Sequence, residues 1–120
     1  MKEVISGRAA GPYSPAVIAG GFCFVAGQGG MGGDGKIVDG IEAQTRQTLE
    51  NIKGILAKAG LDMDAIVRCG VFLQSMDDFG AMNDVYATFF PNDPPARTTI
   101  EAARLPLGLL VEIDCVAVVG

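Results

Sequence analysis

Two short blocks, Pro94-Pro95-Ala96-Arg97-Thr98-Thr99-Ile100 and Val111-Glu112-Ile113, hold the residue types from which a small polar reaction centre can be made. Arg97 offers a planar fork of donors that matches a carboxylate through two parallel hydrogen bonds. Glu112 offers a carboxylate whose proton affinity its surroundings can tune, which is what activating a water molecule requires. A strand beginning at Arg97 puts Arg97, Thr99 and Glu101 on one face, because side chains alternate with period two. A second strand over residues 110–119 carries Val111, Ile113, Cys115, Ala117 and Val119 on an apolar face, and Leu110, Glu112, Asp114, Val116 and Val118 on the other. If the two strands lie close, guanidinium and carboxylate face one small cavity, suited to an anionic substrate and a water-activating base. The chain has no histidine, so triads built on histidine are excluded. Acid–base chemistry falls to Glu, Asp, Lys, Tyr, Cys or ordered water.

Further polar or rigid positions could serve such a centre. Tyr13 is pinned in Gly11-Pro12-Tyr13-Ser14-Pro15, a loop stiffened by two prolines, where a phenol can cover the core or meet a substrate. Asn83 intrudes into the apolar stripe Phe79, Met82, Tyr86, Phe89 and Phe90, and its bland reading is an amide that fastens a loop. The run Gly27-Gln28-Gly29-Gly30-Met31-Gly32-Gly33-Asp34-Gly35-Lys36 contains both GxGxxG and GxxxxGK. No helix opens inside the first pattern and Ile37 follows the lysine of the second, so it reads as a glycine loop beside a pocket and not as a phosphate cradle.

The elements that position these residues follow from periodicity. Val4 and Ile5 start a short strand, and the apolar runs around Gly20-Gly21 form a hairpin. Asp39-Gly40-Ile41-Glu42 reads as a capping box for a helix whose stripe is Ile41, Thr45, Thr48, Leu49, Ile52, Ile55, Leu56 and Ala59, stopped by Gly60. Residues 66–74 form a central strand with Val67, Cys69, Val71 and Leu73 on one face. Ser75 to Asp78 cap a second helix that ends at Pro91. The order β-ββ-α-β-α-β-β is an α+β layered domain with two helices against one mixed sheet. The face bearing Glu112 then needs a cover, which in so short a chain is another copy of itself.

The length of 120 residues suits a single domain, and 49% hydrophobic against 19% charged residues excludes a disordered chain. Neither a signal peptide nor an apolar span long enough for a membrane is present, which predicts a soluble, cytoplasmic protein. Cys23, Cys69 and Cys115 sit singly in strand-like runs and read as buried free thiols with no metal spacing. Nine basic against fourteen acidic residues give a net charge of −5 without a basic patch, a poor match for nucleic acid.

Gly11-Pro12-Tyr13-Ser14-Pro15-Ala16, Gly27-Gln28, Pro95-Ala96-Arg97-Thr98-Thr99, Leu105-Pro106 and Val111-Glu112-Ile113, in this order through essentially the whole chain, resemble the RidA/YjgF family of reactive-intermediate imine deaminases. The resemblance implies a chorismate-mutase-like α+β fold with a mixed six-stranded sheet, and a homotrimer with three sites in the clefts between subunits. It implies hydrolysis of enamine or imine intermediates such as 2-aminoacrylate to a 2-keto acid and ammonia, with no cofactor and no metal. By that similarity Arg97 binds the substrate carboxylate and Glu112 activates water. Tyr13, Ala26 and Gly27 line the site, Asn83 supports it, and the backbone at Thr99 contacts substrate or water. Two positions depart from the family's deaminase branch: many members carry Ser at the position of Ala26 and Cys at that of Thr99. Family members with other assigned roles imply two alternatives, a chaperone-like trimer that only binds small carboxylates and a ribonuclease or translation inhibitor. The negative charge and the lack of histidine disfavour the last.

Overall fold

The computed structural model describes residues 1–120 as β1 (Glu3–Ile5), β2 (Ala16–Ala19), β3 (Phe22–Gln28), α1 (Ile41–Lys58), β4 (Ile66–Leu73), α2 (Phe79–Phe89), β5 (Ala96–Glu101) and β6 (Val111–Val118). The strands form one mixed sheet in the order β1-β2-β3-β6-β4-β5. Only β4 and β5 are parallel, joined by the crossover through α2, and β1 and β5 are the edges. Gly20 and Gly21, both at positive φ, make the two-residue turn between β2 and β3. No helix is long and apolar enough to cross a membrane.

Strand register sorts the side chains onto two faces. Ile5, Ala16, Val25, Cys115, Cys69 and Arg97 stand opposite one another strand by strand, a single row across the sheet. All but Arg97 belong to the core that α1 and α2 cover, with Leu49, Ile52, Leu56 and Met82 as its fully buried helical members. The three thiols lie in this core, buried and unpaired. The opposite face carries no helix. There Val4, Phe22, Phe24, Ile100 and Val118 are each 40–50% exposed, and the same face bears Glu112 in a row with Phe72 and Ile100.

Three local expectations fail. The helix α1 has Gly40 at its N-cap, at φ 88°, and no side chain caps it, so Asp39 and Glu42 form no capping box. Its C-terminal end is as expected, with the Gly60 and Leu61 N–H groups closing on the Ala57 and Leu56 carbonyls. In β4 the alternation slips at a bulge between Ile66 and Arg68, so Ile66 enters the core and Val67 turns outward. The stripe on α1 also includes Gln44, which the apolar pattern passes over. Gln44 is buried, and its Oε1 accepts from the Leu110 N–H at 2.9 Å at the entry to β6. Thr45 and Thr48 are buried too, their hydroxyls donating to the Ile41 and Gln44 carbonyls.

Gln44→Leu keeps the volume and removes the acceptor, so it should destabilise the protein by about 1–2 kcal/mol. The check is a lower denaturant midpoint at unchanged slope; an unchanged midpoint would show that the Leu110 N–H does not depend on Gln44.

Candidate functional site

The predicted site residues fall into two groups. Tyr13, Gly27 and Glu112 line a cavity of about 620 Å³, bounded by the N-terminal loop, the glycine loop, α1 and the turn around Leu107. Ala26 lies just before Gly27 in β3 but does not line the cavity; its N–H donates to the Pro15 carbonyl. Arg97 and Thr99 lie at the other side of the sheet on β5, facing α2. Here the expectation of one shared cavity within the chain is corrected. The strand β4 separates β5 from β6, and Arg97 and Glu112 point to opposite faces of the sheet.

Around Glu112 the chain is built for close approach. A Cβ on Gly27 would fall 2.5 Å from Glu112 Oε2, so only glycine leaves room for the carboxylate there. The glycine loop is fixed from α1: Asn51 Nδ2 donates to the Gly29 carbonyl at 3.1 Å and the Met31 carbonyl at 2.8 Å, while Gln47 donates to Asn51 Oδ1. The N-terminal loop closes over the same region, with Arg8 donating to the Gly32 and Gly33 carbonyls and the Tyr13 hydroxyl accepting from the Ala10 N–H. Burial first, and the Asp114 carboxylate second, hold the Glu112 carboxyl above its ordinary value. Asp114 is itself placed by the Gly70 N–H, which donates to its Oδ1 at 3.0 Å.

Around Arg97 the arrangement is cationic and short of acceptors. The guanidinium carbon lies 4.7 Å from the Tyr86 ring centroid and 5.7 Å from that of Phe79, and none of its N–H groups meets a protein acceptor. Asn83 Oδ1, Tyr86 Oη and Thr99 Oγ1 are buried without hydrogen-bond partners. The bland reading of Asn83 as a loop fastener finds no bond to that oxygen. The Ala102 N–H donates to the Leu73 carbonyl, and in a parallel ladder alternate residues of a strand bond to the same neighbour. The N–H groups of Arg97 and Thr99 therefore point out of the sheet's open edge. A guanidinium and a free peptide N–H side by side can grip one carboxylate.

The sequence reading missed Gln44, Gln47 and Asn51, which fix the glycine loop and the start of β6. Their signal is polar amides at helical spacing on the side of α1 that also carries the apolar stripe. It also missed Tyr86 as the ring beside the Arg97 guanidinium, since an aromatic at helical spacing reads as core.

With this geometry in place, the comparisons are specific. A family model described as endoribonuclease L-PSP matches residues 5–119. The chain is 46% identical over 123 residues to a RutC family protein of Pyrococcus horikoshii, covering 98% of each. It is 39% identical over 122 residues to Reactive Intermediate Deaminase A, chloroplastic, of Arabidopsis thaliana, covering 97% of this chain and 65% of that one. Among solved structures, E. coli TdcF with bound serine matches at a TM-score of 0.94 and 33% identity, covering 98% of this chain and 99% of that one. The chain belongs to the endoribonuclease L-PSP family, the RidA/YjgF proteins. That family includes a reactive-intermediate deaminase.

The raised carboxyl sets a pH test. A carboxyl whose folded value lies above its unfolded one stabilises the fold while protonated, and that contribution is lost as pH rises through the folded value. Glu112→Gln should therefore melt at a higher temperature than wild type near pH 7, with the gap closing near pH 4. Equal melting temperatures at both pH values would show that Glu112 ionises at no cost to the fold.

Proposed function

We propose that this protein hydrolyses the imine or enamine of a small 2-amino acid, such as 2-aminoacrylate, to the 2-keto acid and ammonia, in sites completed between copies of the chain. The observation that carries this reading is Arg97: a partly buried cation with no protein acceptor, beside an outward N–H at Thr99. A substrate carboxylate supplies the missing acceptors. The likeness to Reactive Intermediate Deaminase A supports the reaction, and serine in TdcF is a ligand with such a carboxylate.

The group that brings Glu112 within reach of a substrate held at Arg97 is a second copy of the chain. Within one chain Glu112 points away from Arg97, and the face around Glu112 leaves Val4, Phe22, Phe24, Ile100 and Val118 open. A ring of three copies, as the family resemblance implies, covers that face and sets the Arg97 edge of one copy against the Glu112 cavity of the next. Arg97 and the Thr99 N–H hold the substrate carboxylate, with Asn83 beside them. Glu112, Gly27 and Tyr13 of the neighbouring copy close over the imine carbon. Glu112 takes a proton from water as its oxygen adds to that carbon, giving a tetrahedral adduct. That first proton passes to the nitrogen to give a neutral amino alcohol, an enamine such as 2-aminoacrylate entering as its imine tautomer. Glu112 then moves the adduct's hydroxyl proton to the nitrogen, so the C–N bond breaks and ammonia leaves as the carbonyl forms. A carboxyl raised above its ordinary value suits this double duty better than a strong acid.

Neither a metal nor a cofactor has a part in this chemistry. Ala26 leaves the pocket without a hydroxyl at that point, and Thr99 serves through its backbone. RNA cleavage, the activity in the family's printed name, draws less support: the chain carries a net charge of −5 and no histidine.

Arg97→Ala and Glu112→Gln should each reduce kcat/KM for imine hydrolysis by roughly a hundredfold or more, read as keto-acid release from 2-aminoacrylate generated in situ. Mixing the two inactive variants under subunit exchange should restore about a quarter of wild-type activity, since most rings then contain one intact site. No recovery from a mixture shown to exchange would place both residues of a working site in the same copy. A monomer by sedimentation would remove the arrangement altogether.

A further inference from the structure

We infer that Tyr86, with Phe79, is the positioning device for the carboxylate-binding arginine, holding the guanidinium by its aromatic faces so that every donor stays free for the ligand. The inference rests on the proposed role of Arg97 as carboxylate anchor, but it requires only binding and not turnover.

An arginine at the edge of a sheet has many rotamers, and each must be frozen before it can grip a ligand in a fixed pose. The usual means is an ion pair, which would occupy the donors that the ligand needs. Here no carboxylate plays that part. Glu112 and Asp114 stand on the opposite face of the sheet, and Glu101 Oε1 accepts from the Met76 N–H. The ring of Tyr86 instead lies 4.7 Å from the guanidinium carbon, and that of Phe79 lies 5.7 Å away. Both distances are within the range at which a ring face attracts a cation.

The Tyr86 ring is itself enclosed. It is buried, packs against Phe90 with ring centroids 4.8 Å apart, and sits over the row that contains Cys69. Its hydroxyl faces the Cys69 thiol, a weak partner too poorly aligned to make a full hydrogen bond, and burial keeps the phenol neutral. The hydroxyl therefore adds no charge that would compete with the ligand, and the ring is the part that acts. Phe79 is partly exposed at the first turn of α2 and bounds the guanidinium from the outer side.

The test compares Tyr86→Phe, Tyr86→Leu and Phe79→Leu with wild type, using calorimetric binding of the unreactive keto acid 2-oxobutanoate alongside steady-state imine hydrolysis. Tyr86→Phe should stay within about twofold of wild type in Kd and KM. Tyr86→Leu should raise both by roughly five- to thirtyfold while kcat stays within about twofold, and Phe79→Leu should raise both by about two- to fourfold. A purely structural role would not divide KM from kcat in this way. Unchanged Kd in a folded Tyr86→Leu protein overturns the inference, as does a Tyr86→Phe loss as large as that of Tyr86→Leu. If Tyr86→Leu does not fold, unchanged Kd in Phe79→Leu overturns it instead. Binding of 2-oxobutanoate that weakens in the leucine variants, without any hydrolysis by wild type, would sustain the clamp and reject the deaminase. Absence of binding by wild type would reject both.

Discussion

The register of β4 against β6, in which Cys69 stands opposite Cys115, is the constraint from which the placement of Arg97 and Glu112 follows. A slip of one residue would exchange the faces of whichever strand moved, carrying Glu112 into the core or the thiols out of it. The register is held because one face is packed with fully buried apolar side chains under two helices, so a slip would expose them all together. From β4 the same register passes to β5 by parallel pairing, and it sets Arg97 on the helix side. The cation and the carboxylate are thus assigned to opposite faces by core packing and not by any attraction between them.

That separation has a use in the proposed chemistry. Were Arg97 and Glu112 neighbours in one chain, they would pair, and the guanidinium would lower the carboxyl's proton affinity while losing its own donors. Kept apart, Arg97 remains without an acceptor and Glu112 keeps a raised proton affinity from burial and from Asp114. The supports differ to match. Amides from α1 hold the glycine loop near Glu112 through directional hydrogen bonds, whereas aromatic faces hold Arg97. One group needs a fixed backbone around it, and the other needs a fixed side chain with unoccupied donors.

Much of this was legible in the sequence, and the rest was hidden for identifiable reasons. Element order, the glycine hairpin, the two faces of β6 and the helix-covered sheet follow from periodicities of 2 and 3.6 residues, which long, regular segments express clearly. The capping box failed because Gly40 adopts a positive φ and takes the N-cap place itself. Val67 was misplaced because a bulge adds a residue to the strand, and nothing in Ile66-Val67-Arg68 marks it. For the site, residue types and the family resemblance pointed to Arg97, Glu112, Tyr13 and Asn83. Alternation tells which residues of one strand share a face, but not which faces of two strands agree. That depends on pairing partners far apart in the chain, and so Arg97 and Glu112 could be named but not correctly related.

The open edge at β5 has a cost that the rest of the chain must contain. Unpaired N–H and carbonyl groups along a strand are a template on which any extended segment can add, the route to fibrils and exchanged strands. This protein cannot hide that edge if the peptide at Thr99 is to stay within reach of small molecules. It limits the hazard by other means: the strand is only six residues long, Pro94 and Pro95 precede it, and Arg97 and Glu101 put charges along it. A substitution that removes the charge at Arg97 would thus act twice, on the proposed grip for a carboxylate and on the guard against self-adhesion along the same edge.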